Sequence, residues 1–178
     1  MKDAKARRFD LTDHPRANQT WAADLTYIPT REGWLYLAVV LDLASRRVVG
    51  WALRTRLDQE LALAAFRMAL QHRRPGGGVH HSDRGVQYAS IAYQQQLHQA
   101  GFTSSMSRTG DCWDNAVVES FFATLTKELL NDRSFRTRAD ASRAIFEFIE
   151  IWYNRQRRHS TLDYRTPVEF ETQVLKVS

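Results

Sequence analysis

Three acidic residues, Asp24, Asp83 and Glu119, have the type and setting for metal-assisted phosphodiester chemistry. Asp24 lies in the alternating stretch Trp21-Ala22-Ala23-Asp24-Leu25-Thr26-Tyr27-Ile28, where an unpartnered carboxylate is expensive to desolvate. Taken alone, it reads equally as the partner of a buried arginine or the cap of a turn. Asp83 ends His80-His81-Ser82-Asp83, at a strand-to-loop switch where α/β proteins display site residues. It also reads as an ordinary turn aspartate ahead of Gly85. Glu119 borders an apolar helix face and, alone, is an unremarkable exposed glutamate. Together, a strand carboxylate, a strand-end carboxylate and a helix carboxylate can converge on one sheet edge. Mg²⁺ takes a few carboxylates while keeping waters and phosphate oxygens, and a pair of ions can assist both the attacking and the leaving oxygen. Such a scheme needs no histidine or thiolate.

The elements that must position these groups are legible as an α/β order. Trp21 to Ile28, Leu35 to Asp42 and Arg47 to Leu53 are rich in β-branched, aromatic and leucine residues with short connections, and predict an antiparallel meander. A helix is expected from Asp58, its cap, to Arg74, with Leu61, Ala65 and Met68 on one stripe. Val79 to Ser82 reads as a strand, Ile91 to Gln99 as a helix stopped by Gly101, and Phe102 to Met106 as a strand parallel to the one before. Asp114 is placed to cap a helix carrying Val118, Phe121, Phe122, Leu125 and Leu129. A last long helix starts at Thr137 with Asp140 in a variant capping box, packing Ala141, Ile145, Phe148, Ile149 and Trp152. The domain reading is a linker or remnant over 1–18, a catalytic core over 19–131, and a C-terminal helix with a basic tail packed on the core over 132–178. Three strands, helix, strand, helix, strand and two helices form a mixed sheet covered by helices.

A chain of 178 residues with 43% hydrophobic content suits one domain with a sizeable core. Its apolar runs, Trp34 to Leu43 among them, are too short for a membrane span, and the N-terminus lacks a signal-peptide core. No membrane partner and a cytoplasmic location are expected. The single cysteine, Cys112, excludes an internal disulfide and a multi-thiolate zinc site. The net charge of +5 is concentrated late, through Arg136, Arg138, Arg143, Arg155, Arg157 and Arg158. It points to a polyanionic partner or to solvated helix faces. His80 and His81 could bind a metal, but packing or phosphate contact fits two histidines without a third soft ligand better. Asp42 is read as fixing the turn before Arg46.

From Trp21 to Pro167 the chain resembles insertion-sequence transposases of the retroviral-integrase superfamily, the kind encoded by a second, overlapping reading frame. The carriers are the Asp24 segment, Leu41-Asp42-Leu43-Ala44-Ser45-Arg46-Arg47-Val48-Val49-Gly50-Trp51, His81-Ser82-Asp83-Arg84-Gly85-Val86-Gln87-Tyr88 and Asp114-Asn115-Ala116-Val117-Val118-Glu119-Ser120-Phe121-Phe122. Thirty-five residues separate Asp83 from Glu119, the interval characteristic of that family. The tail Tyr153-Asn154, Arg157, His159-Ser160, Leu162, Tyr164 and Pro167 follows its pattern as well.

The resemblance implies a ribonuclease H-like fold, a mixed five-stranded sheet with three antiparallel strands then two parallel ones. It implies an Asp24, Asp83 and Glu119 triad holding two Mg²⁺ or Mn²⁺ ions when DNA is bound, for DNA end cleavage and strand transfer by in-line transesterification. DNA contacts are expected from Arg84, Arg108, Trp113, Asn115, Lys127, Arg155, Arg157, Arg158 and His159. The expected partners are element ends and target DNA, further copies of the chain on DNA, and an N-terminal helix-turn-helix protein, separate or fused; bound to DNA, the protein would be associated with a bacterial nucleoid. Two departures stand out. The basic residue seven positions after the triad glutamate is replaced by Thr126, with Lys127 one step on, a rotation of about 100° on an α-helix. The chain also begins just before the catalytic core, so it reads as a fragment or one half of a fused product. The alternatives are a nuclease of the same fold that does not join strands, and a DNA-binding relic without catalysis.

Overall fold

The structure is a computed structural model that describes residues 16–83, 85–106 and 116–177. Strand β1 (Thr20–Thr30) turns through Arg31 and Glu32 into β2 (Gly33–Asp42), antiparallel and in register from Trp21 opposite Asp42 to Thr30 opposite Gly33. β3 (Val48–Arg54) pairs antiparallel with β2. The turn between them hangs on Asp42, whose Oδ1 accepts from the Ala44 and Ser45 amides and the Ser45 hydroxyl. α1 (Gln59–Arg73) starts where Asp58 accepts the Leu61 amide. Then come β4 (Gly78–Ser82), the single turn α2 (Val86–Ala89), α3 (Ile91–Gln99) and β5 (Phe102–Met106), with β4 and β5 parallel to each other and β4 parallel to β1. The sheet runs β3-β2-β1-β4-β5, the mixed arrangement that the sequence predicts.

Both faces of the sheet are covered, which explains why β2 is an unbroken apolar run instead of an alternating one. Leu37, Val39 and Leu41 share one face with Ala22; Ala38 and Val40 share the other with Trp21 and Ala23. The second face packs on α1, α2 and α3 through Phe66, Tyr88, Tyr93 and Leu97. Gly50 brings α1 close to it: a Cβ there would sit 2.2 Å from the Ala65 carbonyl oxygen. The first face packs on α4 (Ala116–Leu125) and α5 (Arg138–Phe146) through Val118, Phe121, Leu125, Ile145 and Ile149. No helix among the described residues is long and apolar enough to cross a membrane.

The helices on the first face depart from the sequence reading in a physically specific way. Each continues into a π-helical segment, Thr126–Leu130 after α4 and Glu147–Tyr153 after α5. There amides reach back five residues, Asn131 to Thr126 and Asn154 to Ile149. The wider winding breaks the 3.6 period, so Tyr153, 3% exposed, takes the interior place expected for Trp152, which packs at the core's edge against Phe148. Met68, expected on the α1 stripe, is half-buried; Ala62, Phe66 and Ala69 join Leu61 and Ala65 as buried residues of that helix. Thr137 caps α5 by accepting the Asp140 amide, as the sequence implies. The cap expected of Asp114 lies outside the described residues. α6 (Pro167–Val177), which no apolar period announced, is tied down through Glu171.

Candidate active site

The last registered pair between the parallel strands β1 and β4 is Ala23 with Ser82. The residues that follow these two are Asp24 and Asp83, so two carboxylates come side by side where β4 ends and β1 runs on paired only with β2, neighbouring strands lying about 4.8 Å apart. Side chains alternate along β1, so Asp24 shares the face of Ala22, the face that α4 covers. Glu119 stands in the first turn of α4, exposed, beside the buried Val118. Parallel register, strand alternation and helix placement thus direct all three acidic residues to one end of the sheet.

Local hydrogen bonds hold two of them. Asp24 Oδ1 accepts its neighbour Leu25's amide at 2.8 Å, and Asp83 Oδ1 accepts the Gly85 amide at 2.9 Å. Glycine fits at position 85, because a Cβ would come within 2.8 Å of the Asp83 carboxylate. Burial pushes the Asp24 carboxyl up to about 6; the Leu25 amide opposes this, and the charges of Asp83 and Glu119 add to it. Asp83 and Glu119 therefore each lie within electrostatic reach of Asp24. They do not form a closed cage: among the described residues, no three histidine, cysteine, aspartate or glutamate side chains are gathered tightly enough to enclose a metal ion. The donor set nevertheless suits a hard divalent cation, since it is all oxygen and its half-buried member carries a charge that a dication would stabilise.

Beneath this edge lies a polar group that sequence reasoning missed. Tyr88, in α2, is 1% exposed and its hydroxyl has no hydrogen-bond partner among the described residues. Its acidity is suppressed by burial first, then by Tyr93, Asp24 and Asp83, so the phenol lies within electrostatic reach of the two aspartates. The only sequence signal was its place in the Asp83 segment. His80 is fully buried, 2.9 Å by Nε2 from the Tyr93 hydroxyl and edge-on to Phe66. Burial, with His81 beside it, depresses its pKa to about 3, so it is a neutral packing residue.

The expected DNA-contacting residues fall into three groups. Arg84, Arg108, Trp113 and Asn115 lie outside the described residues. Lys127, Arg155 and Arg158 are exposed; Lys127 is 4.0 Å from Glu128, and Arg155 Nε donates to the Glu150 carbonyl. Arg157 is partly buried, stacked 5.6 Å over Tyr153, with Nη1 2.9 and 3.0 Å from the His159 ring nitrogens. Arg46, which sequence reasoning read only as the end of a turn, joins Arg157, Arg158 and His159 around one cavity.

Comparison with known proteins shows the family and the fold. The profile of the family described as integrase core domain matches residues 14–112, and a second integrase core domain profile matches 100–167. The transposase for insertion sequence element IS904 of Lactococcus lactis subsp. lactis (strain IL1403) is 50% identical over 156 residues, covering 86% of this chain and 61% of that protein. Transposase InsF for insertion sequence IS3A of Escherichia coli (strain K12) is 48% identical over 159 residues, covering 89% and 55%. The chain thus spans little more than half the length of these relatives. Among solved structures, the HTLV-2 integrase catalytic core domain in complex with magnesium (trimeric form) superposes with TM-score 0.63 at 17% identity, covering 86% of this chain and 96% of that one. The catalytic core domain of BIV integrase gives 0.64 at 16%, covering 90% and 97%. At such identities the likeness is one of fold.

Proposed function

Because the chain belongs to the integrase core domain family, we propose that it is the catalytic core of a DNA transposase that cuts the ends of an insertion sequence and joins them to target DNA. The reading is supported by Asp83 lying next to Asp24 at the end of β4, with the charges of both Asp83 and Glu119 acting on Asp24. Asp24, Asp83 and Glu119 would hold two divalent ions, Mg²⁺ or Mn²⁺. Bound there, the ions supply Lewis acidity to the scissile phosphate and neutralise the carboxylates.

This chain's own residues do the rest. The Leu25 and Gly85 amides orient the Asp24 and Asp83 carboxylates, each leaving its second oxygen unengaged by those bonds. Glu119 sits on a separate element and is exposed, so it can close on the pair when DNA is present. Lys127 lies at the start of the π-helical segment, where each residue rotates by less than the ~100° of an α-helix. That turns it back toward the Glu119 side and supports a phosphate contact despite Thr126. Arg155 and Arg158 are exposed on the tail, and with Arg84, Arg108, Trp113 and Asn115 they are assigned to DNA by family resemblance. Self-association on DNA, a helix-turn-helix partner and a cytoplasmic, nucleoid-bound location complete the proposal.

The test is Asp83→Asn, assayed on DNA carrying the element ends. Retained DNA binding with loss of both nicking and strand joining in Mg²⁺ or Mn²⁺ is the expected result. Full activity in this variant ends the proposal. Cutting by the wild-type chain with no covalent joining of the 3′ ends to target DNA reduces it to a nuclease of the same fold.

A further inference from the structure

The turn at Arg46, the side of α4 that carries Val117 and Ser120, and the segment 157–164 enclose a cavity of about 360 Å³. We propose that this cavity is a phosphate pocket that takes a backbone phosphate of bound DNA, at a site separate from the three carboxylates. The proposal rests on the transposase reading for the source of the phosphate, but not for the pocket itself.

Three arginines, Arg46, Arg157 and Arg158, line the cavity together with Ser120, Ser160 and Thr161. No carboxylate is among the lining residues, and among the described residues none of these three arginines has an ion pair within 4 Å. Among the described residues, lack of an ion pair is shared with other arginines, Arg31, Arg56, Arg74 and Arg155 among them, whereas Arg47, Arg54, Arg67, Arg73, Arg143 and Arg165 each meet an aspartate or glutamate; what sets this place apart is three arginines around one cavity. Converging like charges in a partly buried space repel one another, and the arrangement is stabilised by an anion of the size the cavity admits. Guanidinium forks and hydroxyl donors match the several oxygens of a phosphate.

The surroundings hold this arrangement in place, and the acid whose charge reaches it, the exposed Glu169, acts on Arg158 from outside the lining residues. Arg157 lies over the Tyr153 ring, donates through Nη2 to Thr124 Oγ1 at 3.4 Å, and meets His159 through Nη1. Burial, then Arg157 and Arg46, depress the His159 pKa to about 4, so a neutral imidazole can accept from Arg157 while adding no charge. Arg46 occupies the left-handed backbone region at φ +62°, unusual for a residue with a side chain, in the turn anchored by Asp42. It brings a cation from the sheet side to the cavity, although burial disfavours its charge. Phosphate is thus bound between the core sheet, the Glu119 helix and the tail, so one DNA contact couples all three to the candidate active site.

The test uses the purified chain without divalent metal, titrated with inorganic phosphate while the His159 ring resonances are followed by NMR, and then with duplex DNA over a range of salt. Arg158→Gln, an exposed position, and Arg46→Gln are the variants, with thermal melting as the folding control. Saturable shifts of His159 in the wild-type chain that are lost in either variant are expected. In DNA titrations, each variant is expected to lower the slope of log affinity against log salt by about one, the signature of one lost phosphate contact. Absence of saturable phosphate shifts in the wild-type chain overturns the pocket. Phosphate binding with unchanged DNA salt slopes overturns its assignment to DNA and leaves a small-anion site. Neither result touches the Asp83→Asn outcome, so failure of the pocket and failure of the transposase reading are separable.

Discussion

Glu171, on α6, receives both terminal guanidinium nitrogens of Arg73, at the end of α1, at 2.6 and 2.9 Å. The same carboxylate accepts from Arg47 at 2.6 Å and from the Ser45 hydroxyl at 2.7 Å. One buried anion therefore ties the last helix, the first helix and the β2–β3 turn together. Asp42 completes the junction by gripping Ser45 and the Asn18 amide.

Glu171→Gln removes the charge that two partly buried arginines require, and the loss is about 3–5 kcal/mol of stability, the range for breaking a buried pair from one side. Burial pushes the Glu171 carboxyl up, but the bonds and charge of Arg73, with those of Arg47 and Ser45, hold it below the ordinary glutamate value. Its contribution is therefore complete above the unfolded glutamate value of about 4.3 and is lost as pH falls through the lower folded value. Urea unfolding of both proteins at pH 7 and in acid checks this. The gap between wild type and variant narrows in acid.

Gly50→Ala tests how closely α1 lies on the sheet. The new Cβ would sit 2.2 Å from the Ala65 carbonyl oxygen and 2.7 Å from the Ala69 nitrogen, so backbone rather than a flexible side chain must move. Displacing α1 opens the face formed by Phe66, Trp21 and Ala38. The expected loss is about 2–4 kcal/mol, at the overpacking end of single-residue effects. A melting temperature within a degree of wild type would show that α1 is not held at this distance.

How much of this was legible in the sequence depends on the range of the interaction. Asp58 and Thr137 were readable as caps because each bonds an amide three residues on. The alternation around Asp24 and the apolar runs of β2 gave strands whose pairing followed from short turns. That the late strands run parallel was inferred from helix interrupting strand, and the triad from family spacing; that β4 lies beside β1 was not legible. Glu171 was invisible because its partners Arg73 and Arg47 lie 98 and 124 residues away. The exchange of Trp152 for Tyr153 was invisible because apolar spacing assumes an α-helical period, which the π-helical segment does not keep. Arg46 looked like the far end of a turn, and only its left-handed backbone and the tail folded against it bring it to the basic cavity.

Tyr88→Phe keeps the ring that packs against Tyr93 and His80 and deletes a hydroxyl that is buried without a hydrogen-bond partner. Such a hydroxyl forfeits its bonds to water on folding, so the variant is expected to gain about 1 kcal/mol in metal-free buffer. Thermal unfolding measures it directly. A loss of stability instead would mean that the phenol is hydrogen-bonded in the folded protein, with Asp24 and Asp83, whose charges reach it, as the first partners to examine.

Asp24 carries the opposite burden from Glu171. Its carboxyl is raised to about 6, by burial first and by Asp83 and Glu119 in addition, so the folded state binds a proton more readily than the unfolded chain does. The charged form then works against folding above pH 6, and the penalty fades as pH falls toward the unfolded aspartate value of about 3.9. In EDTA, Asp24→Asn is expected to be more stable than wild type by about 2–3 kcal/mol at pH 8, with the difference shrinking steadily toward pH 4. Adding Mg²⁺ should stabilise the wild-type chain and leave the variant nearly unmoved, because a dication removes a repulsion that the variant no longer has. Equal stability of the two proteins at pH 8 would mean that Asp24 is not held at a charge cost. The carboxylate would then be relaxed before any ion arrives, instead of tolerated in the fold for the ligand it is proposed to bind.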